Sequence, residues 1–337
     1  MHGGRGVTAG ALFPRQALAA LTPVERTAWH DASARALAGR WRGDFRDPPA
    51  EHLLEALGGA DHLPALHPAV APCVVARARI LDAMLLDALR GAEHAEVWHL
   101  GAGFDARWHR LGPHHPDMPA KVAWHEVDTP RVLALKEELL RDSPFAGAYA
   151  SVVRHGVPDM PDMPNMKVMA EIARIMPQGE PGVRRIVVLE GLLDLLPAHV
   201  KHGLLGALRH AMPGGVVLLD ALDAAGAAFD NRRPERFTGH PALRVHGISD
   251  DAGLFFLDAG WAVTRSHAIM KRVPAMVCAR FGLPAVLARV PLPAAMTAHY
   301  RCYALRPAHD LARGLAHVPA LDMQGGERPP CGEGFVR

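Results

Sequence analysis

Apolar residues follow two different patterns along the middle of the chain. The clearest stripe has three- and four-residue steps, at Val74, Ala78, Leu81, Leu85 and Leu89. This spacing predicts one long amphipathic helix. Short apolar runs, each of strand length, follow at 97–100, 122–127, 186–189, 216–219 and 300–305. The first four runs alternate with helical stretches, which predicts a parallel sheet with helices on both faces.

Outside this region the pattern is less regular. Residues 1–70 are rich in Ala and Leu with helical spacing and are interrupted by proline and glycine pairs, so we expect short helices packed as an N-terminal cap. Residues 71–306 are expected to form the main domain. Within it, 221–250 is expected to be a variable loop. Residues 307–337 are expected to form a weakly ordered tail.

Composition and charge narrow the class of protein. Apolar residues make up 49% of the 337 positions and the formal net charge is +2, which argues against a nucleic-acid partner. The cysteines are far apart and form no C-x-x-C pair: Cys73, Cys278, Cys302 and Cys331. Neither a metal nor a membrane partner is expected, because no ligand spacing, signal peptide or membrane-length apolar run is found. These features predict a soluble, cytoplasmic protein; whether it forms a homodimer stays open.

A glycine turn directly follows the first predicted strand. The stretch "HLGAGFDARWHRL" contains Gly101, Ala102 and Gly103, and it satisfies the loose dinucleotide pattern G-x-G-x-x-A. A dinucleotide fold needs a full helix after these glycines to hold the pyrophosphate. Here Gly112 and a proline interrupt the chain soon afterwards, and Asp105 suits a zwitterionic ligand better than a pyrophosphate. The loop therefore favours S-adenosylmethionine (AdoMet).

Acidic residues follow two more predicted strands. Glu126 and Asp128 end the second strand, and Glu190 ends the fourth. Ligands of open α/β sheets bind at the carboxyl ends of the strands. A carboxylate at the end of the second strand can accept hydrogen bonds from both ribose hydroxyls, so we expect Glu126 or Asp128 to bind ribose.

Four segments together resemble the leucine carboxyl methyltransferase-like family, which includes bacterial O-methyltransferases of polyketide and other secondary metabolism. They are "ARARILDAMLLDAL", "LGAGFDARWHRL", "WHEVDTPRVLALKEELL" and "VLEGLLDLLP". The resemblance implies the class I methyltransferase fold, which is Rossmann-like. That fold has a seven-stranded, mostly parallel sheet with helices on both faces, here with the N-terminal helical cap. It also implies AdoMet as cofactor.

The resemblance assigns a set of cofactor-binding positions. They are Arg77, Gly101, Ala102, Gly103, Asp105, Glu126, Asp128 and Glu190. Arg77 would bind the AdoMet carboxylate and Asp105 its ammonium, while the two glycines would let the backbone approach the methionine part. Asp128, with Glu126 nearby, would hold the ribose, and Glu190 would line the reacting end.

The chain also departs from the family pattern at two places. The family has an Asp-Leu pair after strand three that touches adenine, and here His155, Gly156 or Asp159 could take that position. After strand four the family often has an aromatic residue where this chain has Leu195. The Asp-Met-Pro tract at 158–168 is interpreted as a proline-pinned loop, with a methionine-lined adenine edge as its functional alternative.

The sequence singles out no catalytic residue for the methyl acceptor. Histidines are candidate bases only by number: His109, His125, His155, His199 and His240. A carboxylate is ionised at neutral pH and needs no base, whereas a phenol or alcohol would profit from one. The absence of an evident base therefore favours a carboxylate over a phenol or hydroxyl as the methylated group of a small-molecule acceptor. Three loop arginines are its predicted partners: Arg232, Arg233 and Arg236.

Two alternative hypotheses stay open on the sequence. An NAD(P)-dependent oxidoreductase would bind a nicotinamide and have a long first helix. A catalytically silent AdoMet-fold partner protein would bind the cofactor weakly, and the departures after strands three and four motivate it.

Overall fold

The computed structural model describes residues 16, 18–43, 45–57, 70–112, 115, 117–158, 165–289, 292–293 and 297–309. The strands of its central sheet are β1 (Ala95–Leu100), β2 (Val122–Asp128), β3 (Val153–Gly156), β4 (Arg184–Leu189), β5 (Val216–Leu222), β6 (Trp261–Ala268) and β7 (Tyr300–Pro307). Their order is β3-β2-β1-β4-β5-β7-β6. Only β7 is antiparallel to its neighbours, so the predicted seven-stranded, mostly parallel sheet is confirmed.

Helices connect these strands and cover the sheet. They are α1 (Pro23–Ala38), α2 (Pro48–Ala56), α3 (Val70–Leu89), α4 (Arg107–Leu111), α5 (Met118–Lys121), α6 (Pro130–Leu140), α7 (Ala146–Tyr149), α8 (Asn165–Ile175), α9 (Ala198–Ala211), α10 (Ala224–Asp230), α11 (Glu235–Thr238), α12 (Ala252–Asp258) and α13 (Val273–Phe281). In the described part of the chain, no helix combines the length and the apolar character needed to cross a membrane. The helix after the glycine turn, α4, has only five residues, as the sequence predicts.

The central strands are buried on both faces, which explains their continuous apolar runs. Ile186 and Val188 of β4 pack into one cluster of buried apolar side chains, and Val187 and Leu189 pack into another on the opposite face. Successive strand residues point to opposite faces, so one strand supplies both layers. The apolar pattern alone did not predict strand β3, because its residues are mostly exposed at the sheet edge and give no apolar run.

The cap helices share the core of one sheet face. Trp29 of α1 and Leu53 of α2 belong to the same buried cluster as Leu81 of α3 and Val97 of β1. Helix α1 begins with a capping box, in which the side chain of Thr22 and that of its partner three residues later each accept a backbone N–H. The cap is therefore a layer packed directly on the sheet.

The segment after β5 is more ordered than the sequence predicts. It contains α10 and α11 within the stretch expected to be a loop, 221–250. The side chain of Asn231 donates to the carbonyl of Val245 at 2.7 Å and accepts from its N–H at 2.9 Å, which closes this segment on itself. Cys331, Asp159, most of the 158–168 tract and the tail from 310 lie outside the described residues.

Candidate active site

The glycine turn after β1 takes a conformation that only glycine adopts easily. Gly101 and Gly103 have φ angles of 67° and 51°. A Cβ at Gly103 would lie 2.6 Å from the Cβ of Ala28 on α1, and one at Gly101 would lie 3.2 Å from the side chain of Leu192. The turn is thus pressed between α1 and the loop after β4.

Asp128, at the end of β2, is fixed by the same turn. Its Oδ2 accepts the N–H of Gly103 and its Oδ1 accepts the N–H of Thr129, both at 2.7 Å. Burial raises the pKa of this carboxyl to about 6. Each carboxylate oxygen can accept further hydrogen bonds, so the group is oriented and still able to bind hydroxyls.

A cavity of about 100 Å³ lies over this turn. Its charged lining is mostly acidic, with Arg35 facing Glu25, Asp31, Asp105, Asp128 and Glu190. His99 also lines it and stays neutral at pH 7, because burial, with Arg107 adding to it, lowers its pKa to about 3. Asp31, Asp105 and Glu190 are paired with buried arginines. Asp128 forms no ion pair with the described residues, so this carboxylate suits a ligand that donates hydrogen bonds and disfavours a pyrophosphate.

Asp105 has an unsatisfied atom at this cavity. Its Oδ1 accepts a hydrogen bond from Arg110 at 2.8 Å. Its Oδ2 is buried, lies 3.5 Å from Nη2 of Arg107, and accepts no hydrogen bond from the described residues. A buried acceptor without a donor is costly, so the atom suits a ligand that brings an N–H group.

Arg77 of α3 is surrounded by acidic groups. It forms an ion pair with Asp31, donates to Oε1 of Glu190 at 3.1 Å, and lies 3.5 Å from Oδ2 of Asp220. It also donates to the hydroxyl of Tyr300 at 2.8 Å. Burial opposes ionisation of Glu190, yet Arg107 and Arg77 lower its pKa to about 2. The guanidinium is therefore fully engaged by the protein's own acceptors.

A second buried network ties the cap to the glycine turn. Arg110 donates to Asp47 at 2.7 Å and to Asp82 at 3.1 Å, in addition to its bond to Asp105. Arg35 of α1 donates to the same Asp47 oxygen at 3.0 Å. Removing one member of such a network leaves an uncompensated buried charge, which costs about 3–5 kcal/mol.

Glu126 lies away from the cavity. Its Oε2 accepts from Nζ of Lys136 at 2.8 Å and from the hydroxyl of Tyr149 at 3.2 Å, with all three groups in the interior. Two residues along a strand span about 6–7 Å, so Glu126 sits below the sheet edge that Asp128 occupies. The structure therefore separates the two acidic residues that the sequence grouped at the ribose.

A larger cavity of about 830 Å³ adjoins the first. Four residues line both cavities, namely Thr27, Asp31, Gly191 and Leu195. Most of the remaining lining of the larger cavity comes from α3, the segment after β5, and the start of β7, with Asp194 after β4 and Met270 after β6 completing it. A donor in the smaller cavity and an acceptor in the larger one would meet at these four residues.

The structure brings most of the predicted residues to these cavities. Those lining the smaller one are Gly101, Ala102, Gly103, Asp105, Asp128 and Glu190. Arg77 and the three predicted substrate arginines line the larger one: Arg232, Arg233 and Arg236. For adenine, Val157 lines the smaller cavity, whereas His155 stacks on Trp98 with ring centroids 5.0 Å apart and lines neither cavity.

Several lining residues were not predicted. Asp31 of α1 and the neighbours His299 and Tyr300 at β7 belong to no motif in the sequence. Asp194 lies within the segment "VLEGLLDLLP", but no role was predicted for it from the sequence. Their only signal was position, since Asp194 and Tyr300 lie at the carboxyl-end edge of the sheet once the strands are placed. Of the five candidate histidines, none lines either cavity.

Comparison with known proteins identifies the family. A model of the leucine carboxyl methyltransferase family matches residues 13–208, more than half of the chain. No curated protein matches. Among solved structures, similarity is found to a methyltransferase candidate from Thermobifida fusca YX, with 16% identity, TM-score 0.48, and coverage of 81% of this chain and 94% of that one.

Two further solved structures are similar at about the same level of sequence identity. A DUF574-family protein from Streptomyces avermitilis MA-4680 has 14% identity and TM-score 0.49, with 82% of this chain and 97% of that one covered. The mitomycin 7-O-methyltransferase MmcR has 14% identity and TM-score 0.41, with 78% and 58% covered.

The strand order and the family match define the class of protein. The fold is that of class I AdoMet-dependent methyltransferases, and AdoMet is the cofactor. The chain belongs to the leucine carboxyl methyltransferase family. The NAD(P) alternative and the silent-partner alternative are thereby set aside.

Proposed function

We propose that the chain is an O-methyltransferase that methylates a small molecule bound in the larger cavity. The observation that carries this proposal is the pair of adjoining cavities, which share Thr27, Asp31, Gly191 and Leu195. A volume of about 830 Å³ lies within the ordinary range of small-molecule sites. Secondary metabolism is the expected source of such acceptors.

The residues that line the smaller cavity suit the polar groups of the cofactor. AdoMet carries a sulfonium and an ammonium beside one carboxylate, and when bound it supplies an electrophilic methyl group. Asp128 would accept the ribose hydroxyls, and the free Oδ2 of Asp105 would accept the ammonium. The acidic lining would hold the net positive charge, and the bare backbone of Gly101 and Gly103 would allow a close approach.

Arg77 is already paired with acidic residues, so it cannot bind the cofactor carboxylate as directly as the resemblance implies. Its strongest exposed partner is Asp31, whose side chain is 28% exposed while those of Glu190 and Asp220 are buried. A cofactor carboxylate would therefore bind Arg77 by replacing Asp31. We propose this exchange as the way in which Arg77 takes part.

The acceptor is proposed to carry a carboxylate. Arg232, Arg233 and Arg236 are exposed at the larger cavity, and none forms an ion pair with the part of the chain that the structure describes. Three unpaired guanidinium groups favour an anion. The preference for a carboxylate over a neutral acceptor rests on these residues.

Calorimetric titration with S-adenosylhomocysteine tests the cofactor site. Micromolar binding to the wild type is expected, with at least about 100-fold weaker binding to Asp128→Ala. The same titrations with NADH and NADPH should show no binding, and Asp117→Ala, an exposed aspartate, should bind like the wild type. Nicotinamide binding, or full affinity in Asp128→Ala, would refute the assignment.

A triple variant tests the arginines. Replacing Arg232, Arg233 and Arg236 by Gln should raise the KM for carboxylated acceptors about tenfold or more with little change in kcat, because recognition is lost before and during reaction alike. A matched control removes three other exposed arginines, Arg90, Arg141 and Arg174, and should leave KM unchanged. An equal effect in both triples would count against the acceptor role.

A further inference from the structure

A histidine that lines the larger cavity, His299, is paired with Asp223 behind it. Nδ1 of His299 lies 2.8 Å from Oδ2 and 3.0 Å from Oδ1 of Asp223. His299 lines the cavity and its side chain is 40% exposed, so the imidazole is held at one nitrogen and accessible to a bound molecule. No motif of the family segments includes either residue.

The backbone fixes the pair from both sides. The N–H of Asp223 donates to the carbonyl of His299 at 3.0 Å, which ties the end of β5 to the start of β7. Oδ1 of Asp223 also accepts the N–H of Gly226 at 2.8 Å as the N-cap of α10. A Cβ at Gly226 would lie 3.1 Å from the Cβ of His299, so the start of α10 packs closely against this residue.

The geometry selects one tautomer of His299. A carboxylate only accepts hydrogen bonds, so Nδ1 must carry the proton that is donated to Asp223. In the neutral ring, Nε2 is then the acceptor nitrogen on the other side. A base oriented by a carboxylate in this way is the arrangement that general-base catalysis uses.

Resting on the proposed function, we propose that His299 is the general base of the larger cavity and that the methylated group is a hydroxyl. The acceptor would therefore be a hydroxy acid, in which the carboxylate binds the arginines and the hydroxyl receives the methyl group. From the sequence, a carboxylate was the favoured methylated group because no base was evident. The pair of His299 and Asp223 supplies a candidate base, so the reason for preferring the carboxylate no longer applies.

The proposed step balances in atoms and charge. The acceptor O–H bond breaks and its proton passes to Nε2 of His299. The oxygen forms a bond to the methyl carbon, and the carbon–sulfur bond breaks with its electron pair remaining on sulfur. The positive charge thereby moves from the sulfonium to the imidazolium, where Asp223 stabilises it.

Other charged groups also line this cavity. They are Asp31, Arg77, Asp194, Asp230, Arg232, Arg233 and Arg236. Asp194 is buried and its Oδ1 already accepts the N–H of Leu222 at 3.0 Å. Asp31 is paired with Arg77. Among these groups, His299 combines an orienting partner with a free acceptor nitrogen.

Methyl transfer to matched benzoic acids tests the methylated atom. The probes are benzoate, the three hydroxybenzoates and the corresponding methoxybenzoates, with tritium-labelled AdoMet as donor. We expect label only with hydroxybenzoates and only in products that survive alkali, because aryl methyl ethers resist hydrolysis. Alkali-labile label, released as methanol, would show carboxylate methylation and overturn this inference while leaving the O-methyltransferase proposal intact.

Variants separate base catalysis from a structural role. His299→Gln should lower kcat about 100-fold or more at pH 7, and the loss should shrink toward pH 10 as the phenol ionises without help. Asp223→Asn, which keeps an N-cap acceptor, should lower kcat about tenfold or more. His210→Gln, at the exposed far end of α9, should retain wild-type kcat. A pH-independent loss in His299→Gln would overturn the base assignment.

Nitrogen-15 NMR of the histidines tests the pair without any acceptor. The signals of His299, assigned by their absence in His299→Gln, should show a protonated Nδ1 and an unprotonated Nε2 at pH 8. In Asp223→Asn the proton should move to Nε2. Protonated Nε2 in the wild type would overturn the proposal even if no benzoic acid were methylated, so failure of the base is distinguished from failure of the proposed acceptor class.

Discussion

Asp128 connects the charge state of one side chain to cofactor binding. The carboxylate is held by two backbone N–H groups, and its pKa of about 6 lies well above that of a free aspartate. In the unliganded protein the folded state holds the proton more tightly than the unfolded state. The contribution of Asp128 to the free energy of unfolding therefore falls as the pH rises from about 4 to about 6.

Cofactor affinity should change in the opposite direction. If ribose binding needs the ionised form, affinity for S-adenosylhomocysteine should be constant above pH 7 and fall up to about tenfold for each pH unit below 6. Calorimetry between pH 5 and 8 measures this. Asp128→Asn should bind more weakly at every pH and lack this dependence; the same slope in that variant would assign the titration to another group.

Glu126 provides the opposite case, a buried acid with a structural role. Glu126→Gln should lower the free energy of unfolding by about 3–5 kcal/mol, because Lys136 is left as an unpaired buried charge. Its affinity for S-adenosylhomocysteine should stay within twofold of the wild type. Urea unfolding and calorimetry together decide this, and a loss of affinity at unchanged stability would return Glu126 to the ribose site.

These two acids also show how far sequence can locate a site. Both residues lie at the end of β2, two positions apart and therefore on the same face of the strand. The sequence pattern alone cannot tell which of the two binds the ribose. What separates them is Lys136 on the next helix, whose ammonium reaches Glu126. His299 and Asp223 lie 76 residues apart and meet only because β7 returns beside β5, which no local motif records.

At the scale of elements, the glycine turn and helix α1 depend on each other. Gly103→Ala should destabilise the protein by about 2–4 kcal/mol, since it adds left-handed strain and a Cβ only 2.6 Å from Ala28. Displacement of α1 should also weaken cofactor binding. Gly147→Ala, whose Cβ meets nothing within 4 Å in the short helix α7, is the matched control and should be neutral or slightly stabilising in urea unfolding.

The elements predicted from the sequence are those with a clear apolar pattern, either a helical repeat or a continuous run of strand length. Helix α3 and strands β1, β2, β4 and β5 have apolar faces that the core requires, and their predicted positions hold to within a few residues. Strand β3 is an exposed edge, and the short helices after β5 are held by contacts such as that of Asn231 with Val245. Their order comes from tertiary contacts rather than from local apolar spacing.

For the whole molecule, the shared core predicts one cooperative unit. Trp29 of the cap packs in the same cluster as Val97 of the sheet, and the ion pairs of Asp47 join both layers. Thermal unfolding should give a single calorimetric transition whose calorimetric and van't Hoff enthalpies agree. A separate low-temperature transition for the cap would support residues 1–70 as an independent domain.

The two cavities are lined by largely different segments of the chain, and this has a consequence for how the family can evolve. The segment from Ala225 to Val245 lines only the larger cavity, whereas Thr27 and Asp31 of α1 line both. If the larger cavity binds the acceptor, as proposed, substitutions in that segment should change the acceptor range and leave the smaller cavity unchanged. Helix α1 lacks this freedom, so chimaeras that exchange only the segment after β5 are the ones that should transmit a relative's acceptor choice.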